Sequence, residues 1–350
     1  MRLLIVNYVM DENDPALAWQ CDVADRLAAV CQSVVVLTHQ PGSYPQRPNL
    51  EVRCLAARPF GVPARAGGQW LHNLSIWRLC RQRKIDACFI HMAHEWAYRL
   101  APALKWTRTP SLLWYAHGSV TGSLKRAHRC VDGIVTSTPD GFRIPTTKLR
   151  TIGQGINLRR FVPPTPATQR NEVVYVGRIS RRKRLESLIA SMECLRAIAP
   201  DSNIRLKIVG PTLTDDDQDY ESELRQQAAG CAPETAFLGP WRQTDLPALY
   251  RSAFLHLNVS QTGSLDKTIL ESLACGCPVL TSNPASFELL SDYPELRLEA
   301  VNPRQIATRI LDLHARRNTY QPQALRQLVA GKHDLESYVQ KIVSVLRELS

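Results

Sequence analysis

Apolar runs of strand length alternate with helix-like patterns along the first half of the chain. Residues 2–9, RLLIVNYV, are almost continuously apolar, as expected for a strand that a parallel sheet buries on both faces. Asp14 and Pro15 then predict the N-cap and first turn of a helix whose apolar positions recur from Trp19 to Val30. The same alternation predicts strands at 33–38, 87–92, 111–117, 133–138 and 148–152, and helices at 68–84 and 95–105. This repetition favours a doubly wound α/β domain with a parallel sheet.

The pattern lapses once and then starts again. Residues 153–172 include three prolines within the four positions 163–166, which predicts a linker. Beyond it, strands are predicted at 172–177, 205–210, 235–239, 253–260 and 278–282, and helices at 183–198, 219–229, 244–252, 267–275 and 335–349. Gly276 fits the position after the helix 267–275, where a left-handed residue often ends a helix. The chain is therefore predicted to form two α/β domains, with a ligand crevice at the carboxyl ends of their strands.

Composition and charge narrow the class of protein. The 350 residues are 44% hydrophobic and 21% charged, as in globular proteins, and no run reaches the roughly 18–20 apolar residues of a membrane span. The ten cysteines include no CxxC pair, which favours reduced thiols in a cytosolic protein. Residues 1–165 carry 21 Lys and Arg against 10 Asp and Glu, whereas the remainder carries 22 of each. The positive excess of the first half suggests a lipid surface, a nucleic acid or an acidic substrate as its partner.

A cluster of cations follows the strand predicted at 172–177, in the sequence VVYVGRISRRKR. Gly177 permits a close backbone approach to a ligand, and Arg178 can fork onto phosphate oxygens. Lys183 falls in or beside the first turn of the next helix, whose positive N-terminus repels cations unless an anion is bound. These residues therefore favour a phosphate site. A solvated basic face remains the alternative, above all for Arg181, Arg182 and Arg184.

A second stretch, SQTGSLDKTILESLACGCPVLTSN (260–283), combines a glycine-containing loop, a helix bearing Glu271 and a Gly-Cys-Pro turn into a strand. Together with VGRISRRK, it resembles the motifs of the retaining nucleotide-sugar glycosyltransferases of the GT-B architecture, the family called glycosyl transferases group 1. Two further segments, TIGQGINLRRFVP (151–163) and FLGPWRQTDLPALYRSA (237–253), are similar to that family's interdomain and nucleotide-side segments.

The resemblance implies roles for individual residues of the second domain. Arg178 and Lys183 would hold the diphosphate of the donor, and Glu271 would accept hydrogen bonds from the ribose hydroxyls. The donor site implied in this way comprises Arg178, Lys183, Gly239, Pro240, Gly263, Ser264, Leu265, Asp266, Lys267 and Glu271, with Gly239 and Pro240 beside the nucleobase and the backbone of 265–267 facing the sugar and phosphates.

The chain also departs from the family pattern. Gly263 stands where the family places its first Glu, and Asp266 could replace that acid or merely cap the following helix. In the first domain, LWYAHG (113–118) is similar to a family strand that ends in a functional histidine. The resemblance therefore makes His117 a catalytic contact to the transferred sugar, although packing or capping is the commoner role of such a residue. His91 and His94 are expected at the rim of the acceptor cleft.

Two other motifs have simpler interpretations. DDDQD (215–219) imitates an acidic metal-binding motif, but acids at a helix start are ordinary charge complementarity. GQGINL (153–158) lacks the third glycine of a dinucleotide fingerprint, and prolines rather than a helix follow it. Neither motif supports a metal or a dinucleotide cofactor.

Residues 65–84 mix tryptophans with cations, as in helices that lie on anionic lipid, and the segments 104–109 and 123–130 together add Trp106 and five more cations. The residues expected to face a membrane are Trp70, Trp77, Arg78, Arg81, Arg83 and Lys84. A helix that packs its tryptophans in the core is the alternative. Nucleic acid is not expected, because no nucleic-acid module accompanies the charge.

The resemblance thus implies an α/β fold of two Rossmann-like domains facing a central cleft. An acceptor-binding domain would span 1–160, a donor-binding domain 161–334, and a helix at 335–350 would pack back towards the first. The implied function is transfer of a sugar from a UDP- or GDP-sugar to a saccharide or lipid-linked saccharide, with retention and without a metal or other cofactor. It would occur on the cytoplasmic face of the membrane, in the synthesis of cell-surface glycans. A non-catalytic nucleotide- or saccharide-binding partner subunit and a nucleotide-sugar epimerase remain alternatives.

Overall fold

The computed structural model describes residues 1–55, 68–164, 171–232, 234–260 and 263–350, and in residues 68–71 it describes the backbone alone. The described residues form two compact units. The first consists of Met1–Gly155 together with Leu335–Ser350, and the second of Ile156–Asp334. Residues 165–170 of the predicted linker lie outside the described residues.

The first unit is built on a parallel sheet with the strand order β3-β2-β1-β4-β5-β6-β7. Its strands are β1 (Arg2–Met10), β2 (Ser33–Pro41), β3 (Leu50–Cys54), β4 (Ala87–His91), β5 (Ser111–Trp114), β6 (Gly133–Thr136) and β7 (Leu149–Thr151). The helices between them are α1 (Trp19–Val30), α2 (Gly68–Gln82), α3 (His94–Thr107) and α4 (Gly122–Cys130). The parallel arrangement that the alternating pattern predicts is thereby confirmed.

The second unit has a parallel sheet with the order β10-β9-β8-β11-β12. Its strands are β8 (Glu172–Val176), β9 (Arg205–Val209), β10 (Thr235–Phe237), β11 (Ala253–Asn258) and β12 (Val279–Thr281). Its helices are α5 (Leu185–Ile198), α6 (Asp215–Cys231), α7 (Leu246–Ser252), α8 (Lys267–Ala274), α9 (Pro303–Ala315) and α10 (Pro322–Ala330). The last helix, α11 (Leu335–Leu349), belongs to the first unit.

Apolar side chains cover both faces of the first sheet. One core contains residues of α1 and α11, and the other contains residues of α2, α3 and α4. This explains why strands such as β1 and β4 are continuously apolar instead of alternating. Because residues 335–349 complete one of these cores, the C-terminal helix is part of the first unit's folded structure.

The start of α1 differs from the expectation. Asp14 and Pro15 were predicted to begin the helix, but α1 begins at Trp19 with Ala18 as its N-cap. The carboxylate of Asp14 instead accepts hydrogen bonds from the backbone of Ala16 and Leu17, at 2.9 and 2.6 Å. Asp14 thus stabilises a turn before the helix, because its side chain competes for the local N–H groups.

Glycines end three neighbouring strands of the second sheet. Gly177 follows β8, Gly210 follows β9 and Gly239 follows β10, with φ values of 151°, 156° and 70°. A Cβ on Gly210 would lie 1.8 Å from the carbonyl oxygen of Gly177. The backbones of Gly177 and Gly210 therefore approach each other, at the carboxyl edge of the sheet, more closely than any larger residue at position 210 allows.

Candidate functional site

Lys183 and Asp266 form an ion pair at the carboxyl edge of the second sheet. Lys183 Nζ lies 2.8 Å from Asp266 Oδ2 and 3.3 Å from Ser260 Oγ. The same carboxylate oxygen accepts a hydrogen bond from Asn258 Nδ2 at 3.0 Å. Only 18% of the lysine side chain and 15% of the aspartate side chain are exposed. The cation is thus held in place by the ends of two elements, β11 and α8.

The backbone around both residues explains their positions. Lys183 ends a short 3-10 turn, and Arg184 follows with a left-handed φ of 55° before α5 begins at Leu185. Lys183 therefore lies beside the first turn of α5 and not within it. Asp266 occupies the N-cap position of α8 but makes no capping hydrogen bond, because its carboxylate is directed at Lys183.

Arg178 is fixed by a carboxylate from the first turn of α6. Its Nε and Nη2 donate to Asp217 Oδ2 at 2.8 and 2.7 Å. The same oxygen accepts from the backbone N–H groups of Leu213 and Thr214 at 3.0 and 3.2 Å. Burial raises the pKa of Asp217, but these backbone bonds and Arg178 outweigh it, and the pKa lies below its ordinary value. Asp217 is buried, whereas 42% of the Arg178 side chain is exposed.

The acidic run that contains Asp217 has two roles. Asp215, Asp216 and Asp217 form the first turn of α6, and Thr214 and Asp217 form a reciprocal capping box. This confirms the helix-start interpretation of DDDQD. Sequence reasoning nevertheless missed the bond from Asp217 to Arg178, because nothing local relates two residues that are 39 positions apart.

Glu271 lies in α8 and is buried, with 4% of its surface exposed. Its Oε1 accepts a hydrogen bond from Gln243 Nε2 at 3.2 Å, and Gln243 Oε1 accepts one from Arg160 Nη1 at 3.1 Å. A buried carboxylate oriented in this way can accept hydrogen bonds from vicinal hydroxyls. Gln243 and Arg160 are further residues that the sequence did not single out.

His256 lies in β11, close to the ion pair of Lys183 and Asp266. It is fully buried, and neither ring nitrogen has a hydrogen-bond partner within the described part of the chain. Burial lowers the pKa of His256 to about 3, although the negative charge of Asp266 opposes this shift; the positive charge of Lys183 acts with burial. The imidazole is therefore neutral at physiological pH.

The loop before α8 places the remaining predicted donor residues differently. Gly263 has a left-handed φ of 72°, which strains any residue with a Cβ, so a glutamate is disfavoured there. The Ser264 carbonyl accepts from Asn283 Nδ2 at 2.8 Å, and the Leu265 side chain is buried. Residues 261 and 262 lie outside the described residues. Lys267 begins α8, and Gly239, before Pro240, faces open space where a Cβ would stand.

In the first unit, two of the three predicted histidines lie together. His94, at the start of α3, contacts the ring of Tyr115 and lies 3.0 Å from Ser123 Oγ through its Nε2. His117 follows β5, and its Nδ1 accepts from the Ser119 backbone at 3.2 Å. The two rings lie 5.3 and 6.4 Å from Tyr115. Both histidines therefore occupy the carboxyl edge of the first sheet.

The placement of His91 at a cleft rim is wrong. His91 is the last residue of β4, with 1% of its surface exposed, and it packs against Trp19, Phe89 and Trp114. Successive strand residues point to opposite faces, and His91 points to the face that α1 covers. It is an aromatic core residue.

The residues predicted to face a membrane differ in their exposure to solvent. Trp77 is half-buried, packs against the core of the first unit and lies under the guanidinium of Arg81, 5.6 Å from its ring centre. It is thus a packing residue, contrary to the expectation. Arg78, Arg81, Arg83 and Lys84 are exposed. Arg83 pairs with Glu51 at 2.7 Å, and the side chain of Trp70 lies outside the described residues.

Comparisons with known proteins agree with this architecture. Residues 170–316 match the family Glycosyl transferases group 1. The lipopolysaccharide core biosynthesis mannosyltransferase LpsB of Rhizobium meliloti is 27% identical over 187 residues, which are 49% of this chain and 50% of LpsB. Mannosylfructose-phosphate synthase of Agrobacterium fabrum is 23% identical over 184 residues, 47% of this chain and 40% of that protein. The matches thus span half or less of these relatives.

Solved structures resemble the chain over nearly its full length. Anabaena Alr3699/HepE, crystallised with UDP, matches with a TM-score of 0.77 and 16% identity, covering 99% of this chain and all of the other. Sucrose-phosphate synthase of Thermosynechococcus elongatus matches with a TM-score of 0.74 and 17% identity, covering 100% and 99%. At such identities the likeness concerns the fold, which is that of two Rossmann-like domains of the GT-B type. The family match itself, to Glycosyl transferases group 1, lies within residues 170–316, inside the second unit.

Proposed function

We propose that the protein transfers a sugar from a UDP- or GDP-sugar to a saccharide or lipid-linked saccharide acceptor. The observation that carries this proposal is that Arg178, Lys183 and Glu271 lie at the carboxyl edge of the second sheet. Hydrogen bonds to Asp217, Asp266 and Gln243, respectively, hold their side chains. Cations and a buried carboxylate match the two ends of a nucleoside diphosphate, its phosphates and its ribose. The UDP complex of the structural relative HepE supports this choice of donor.

Fixed positive charge would stabilise the departing nucleoside diphosphate. Asp217 engages Nε and Nη2 of Arg178, and the exposed remainder of the guanidinium would bind phosphate. Lys183 and the N-terminus of α8 would add positive potential at the same place. Preorganised charge of this kind lowers the activation barrier for departure of the nucleoside diphosphate and needs no metal ion. Transfer with retention, in which the leaving phosphate accepts the acceptor proton, requires no second catalytic carboxylate in this chain.

Asp266 is proposed to replace the acid that the family pattern places at Gly263. Its Oδ2 binds Lys183 and Asn258, whereas its Oδ1 has no hydrogen-bond partner among the described residues. That oxygen would accept a hydrogen bond from a hydroxyl of the transferred sugar. His117, in the first unit, remains proposed as another contact to that sugar, and His94 as part of the acceptor site.

Release of UDP or GDP from UDP-glucose, UDP-galactose and GDP-mannose tests the proposal, with a membrane glycolipid extract as the acceptor source. We expect one donor to be consumed, in the presence of EDTA as well. Lys183→Ala should lose most of the turnover, and the exposed neighbour Arg182→Ala should keep it. If no donor turns over although a nucleotide binds, the second candidate applies, a non-catalytic nucleotide-binding subunit, which the glycine at position 263 favours.

A further inference from the structure

Three helices of the first unit end at one edge of its sheet. Helices α2, α3 and α4 lead directly into the neighbouring parallel strands β4, β5 and β6. Since parallel strands start at the same edge, the three helix C-termini lie there together. The thiol of Cys80, near the end of α2, contacts the side chains of Thr107 and Thr109 at the end of α3. We name this region the amino edge, opposite the edge that carries His94 and His117.

Exposed cations gather at the amino edge. Lys84, Lys105, Arg108 and Arg129 are all exposed, and within the residues that the structure describes none of them pairs with a carboxylate. The acids nearby are engaged elsewhere. Asp86 pairs with Arg2 at 2.5 Å, and Asp132 accepts from the backbone and hydroxyl of Ser111 at 2.8 and 2.9 Å. The four cations therefore outnumber the acid that is not in an ion pair, Asp132, and the amino edge keeps an excess of positive charge among the described residues.

Two of these cations occupy backbone positions that normally hold glycine. Lys84 and Arg108 follow α2 and α3 with left-handed φ values of 49° and 53°. Helices commonly end with glycine in this conformation, because a Cβ makes it unfavourable. Lys84 and Arg108 thus place positive charge at the amino edge in spite of the strain in their backbone.

An exposed tryptophan lies among these cations. Trp106, in the last turn of α3 between Lys105 and Arg108, has 57% of its surface exposed. Cations flanking an exposed indole are typical of surfaces that bind anionic lipid, in which the indole enters the headgroup region. We infer that the amino edge, with Lys84, Lys105, Trp106, Arg108 and Arg129, docks the protein on an anionic bilayer. The inference does not rest on the proposed glycosyl transfer.

Glycine substitutions test this inference without damaging the fold. Lys84→Gly and Arg108→Gly remove charge and relieve a strained backbone, so the melting temperature should be maintained or rise. Partitioning onto vesicles of phosphatidylcholine with phosphatidylglycerol is measured by sedimentation, with phosphatidylcholine alone for comparison. Each substitution should weaken binding to the anionic vesicles about fivefold, and both together about 25-fold. Adding Trp106→Ala to the double variant should weaken binding to the anionic vesicles further.

Arg184→Gly is the matched control, because it removes a cation with the same left-handed conformation from the second unit. Its vesicle binding should equal that of the unchanged protein. Equal loss in this control, or no preference for anionic vesicles, would overturn the inference and leave the cations as partners of the helix dipoles. Tighter binding to duplex DNA than to vesicles at the same salt concentration would likewise overturn it, in favour of nucleic acid.

Discussion

At the scale of single residues, the orientation of Arg178 depends on Asp217. One carboxylate oxygen accepts from the arginine Nε and Nη2 and from two backbone N–H groups at the start of α6. A guanidinium held in this way loses little freedom when it binds phosphate. Asp217 is thus a positioning residue that acts through Arg178.

We predict that Asp217→Asn weakens UDP or GDP binding about three- to tenfold, because the neutral amide holds the guanidinium less firmly. Isothermal titration calorimetry measures this loss. Asp216→Asn is the matched control, since that neighbouring side chain is 75% exposed and only loosely paired with Arg181. It should bind as the unchanged protein does.

A double-mutant cycle separates positioning from general damage to α6. If Asp217 acts through Arg178, the variant Arg178→Ala with Asp217→Asn should bind nucleotide no more weakly than Arg178→Ala alone. Additive losses would show that Asp217 affects binding by another route.

The sequence identified the residues whose chemistry was visible locally. Arg178 and Lys183 stood out because cations crowded the end of an apolar strand. Asp217 and Gln243 could not be identified, since their partners, Arg178 and Glu271, come from distant segments that only the folded sheet brings together. The error at His91 arose because the strand pattern did not fix which face of β4 it occupies.

At the scale of elements, β11 carries an ionisable side chain in a wholly buried strand. His256 is neutral in the folded protein, whereas an unfolded chain protonates it near its ordinary pKa of 6.5. Between pH 6.5 and 3 the unfolded state therefore binds more protons, and stability falls as the pH falls.

His256→Leu should remove this pH dependence. Between pH 6 and pH 4, the unchanged protein should lose about 2–3 kcal/mol more unfolding free energy than the variant. Urea unfolding followed by circular dichroism at both pH values measures the difference. Equal pH dependence in the two proteins would show that His256 is not held neutral by burial.

The end of α8 depends on a glycine. Gly276 has a φ of 69°, and a Cβ there would lie 2.4 Å from Cβ of Pro322, at the start of α10. This confirms the predicted helix end, and packing against α10 adds a constraint that the sequence did not reveal.

Gly276→Ala should reduce the unfolding free energy by about 2–3 kcal/mol, from backbone strain and overpacking together. Gly230→Ala in α6 is the control, because a Cβ there meets nothing within 4 Å. It should leave stability unchanged or raise it by up to about 1 kcal/mol. Urea midpoints compare the two, and a Gly276 variant as stable as the control would refute this account.

Some elements were not predicted because they lack a clear apolar period. Strand β3, LEVRC, is a partly exposed edge strand without a buried face. Helix α4, GSLKRAHRC, buries only Leu124 and Ala127, so its cations dominated its interpretation. Strands buried on both faces, such as β1 and β11, were predicted to within two residues.

At the scale of the whole molecule, charge and chemistry are divided between the two halves. The net positive charge belongs to residues 1–165, and the residues proposed to bind the donor belong to the second unit. The second half needs no net charge for this role, because its cations are placed individually by Asp217 and Asp266.

The central claim is that Arg178 and Lys183 form a nucleoside diphosphate site, and calorimetric titration with UDP, GDP and ADP in the absence of metal tests it most directly. We expect one nucleotide to bind, with a loss of at least about tenfold in Arg178→Ala and in Lys183→Ala and none in Arg182→Ala. Failure of the folded protein to bind any of the three nucleotides, or equal binding by all variants, would contradict the account.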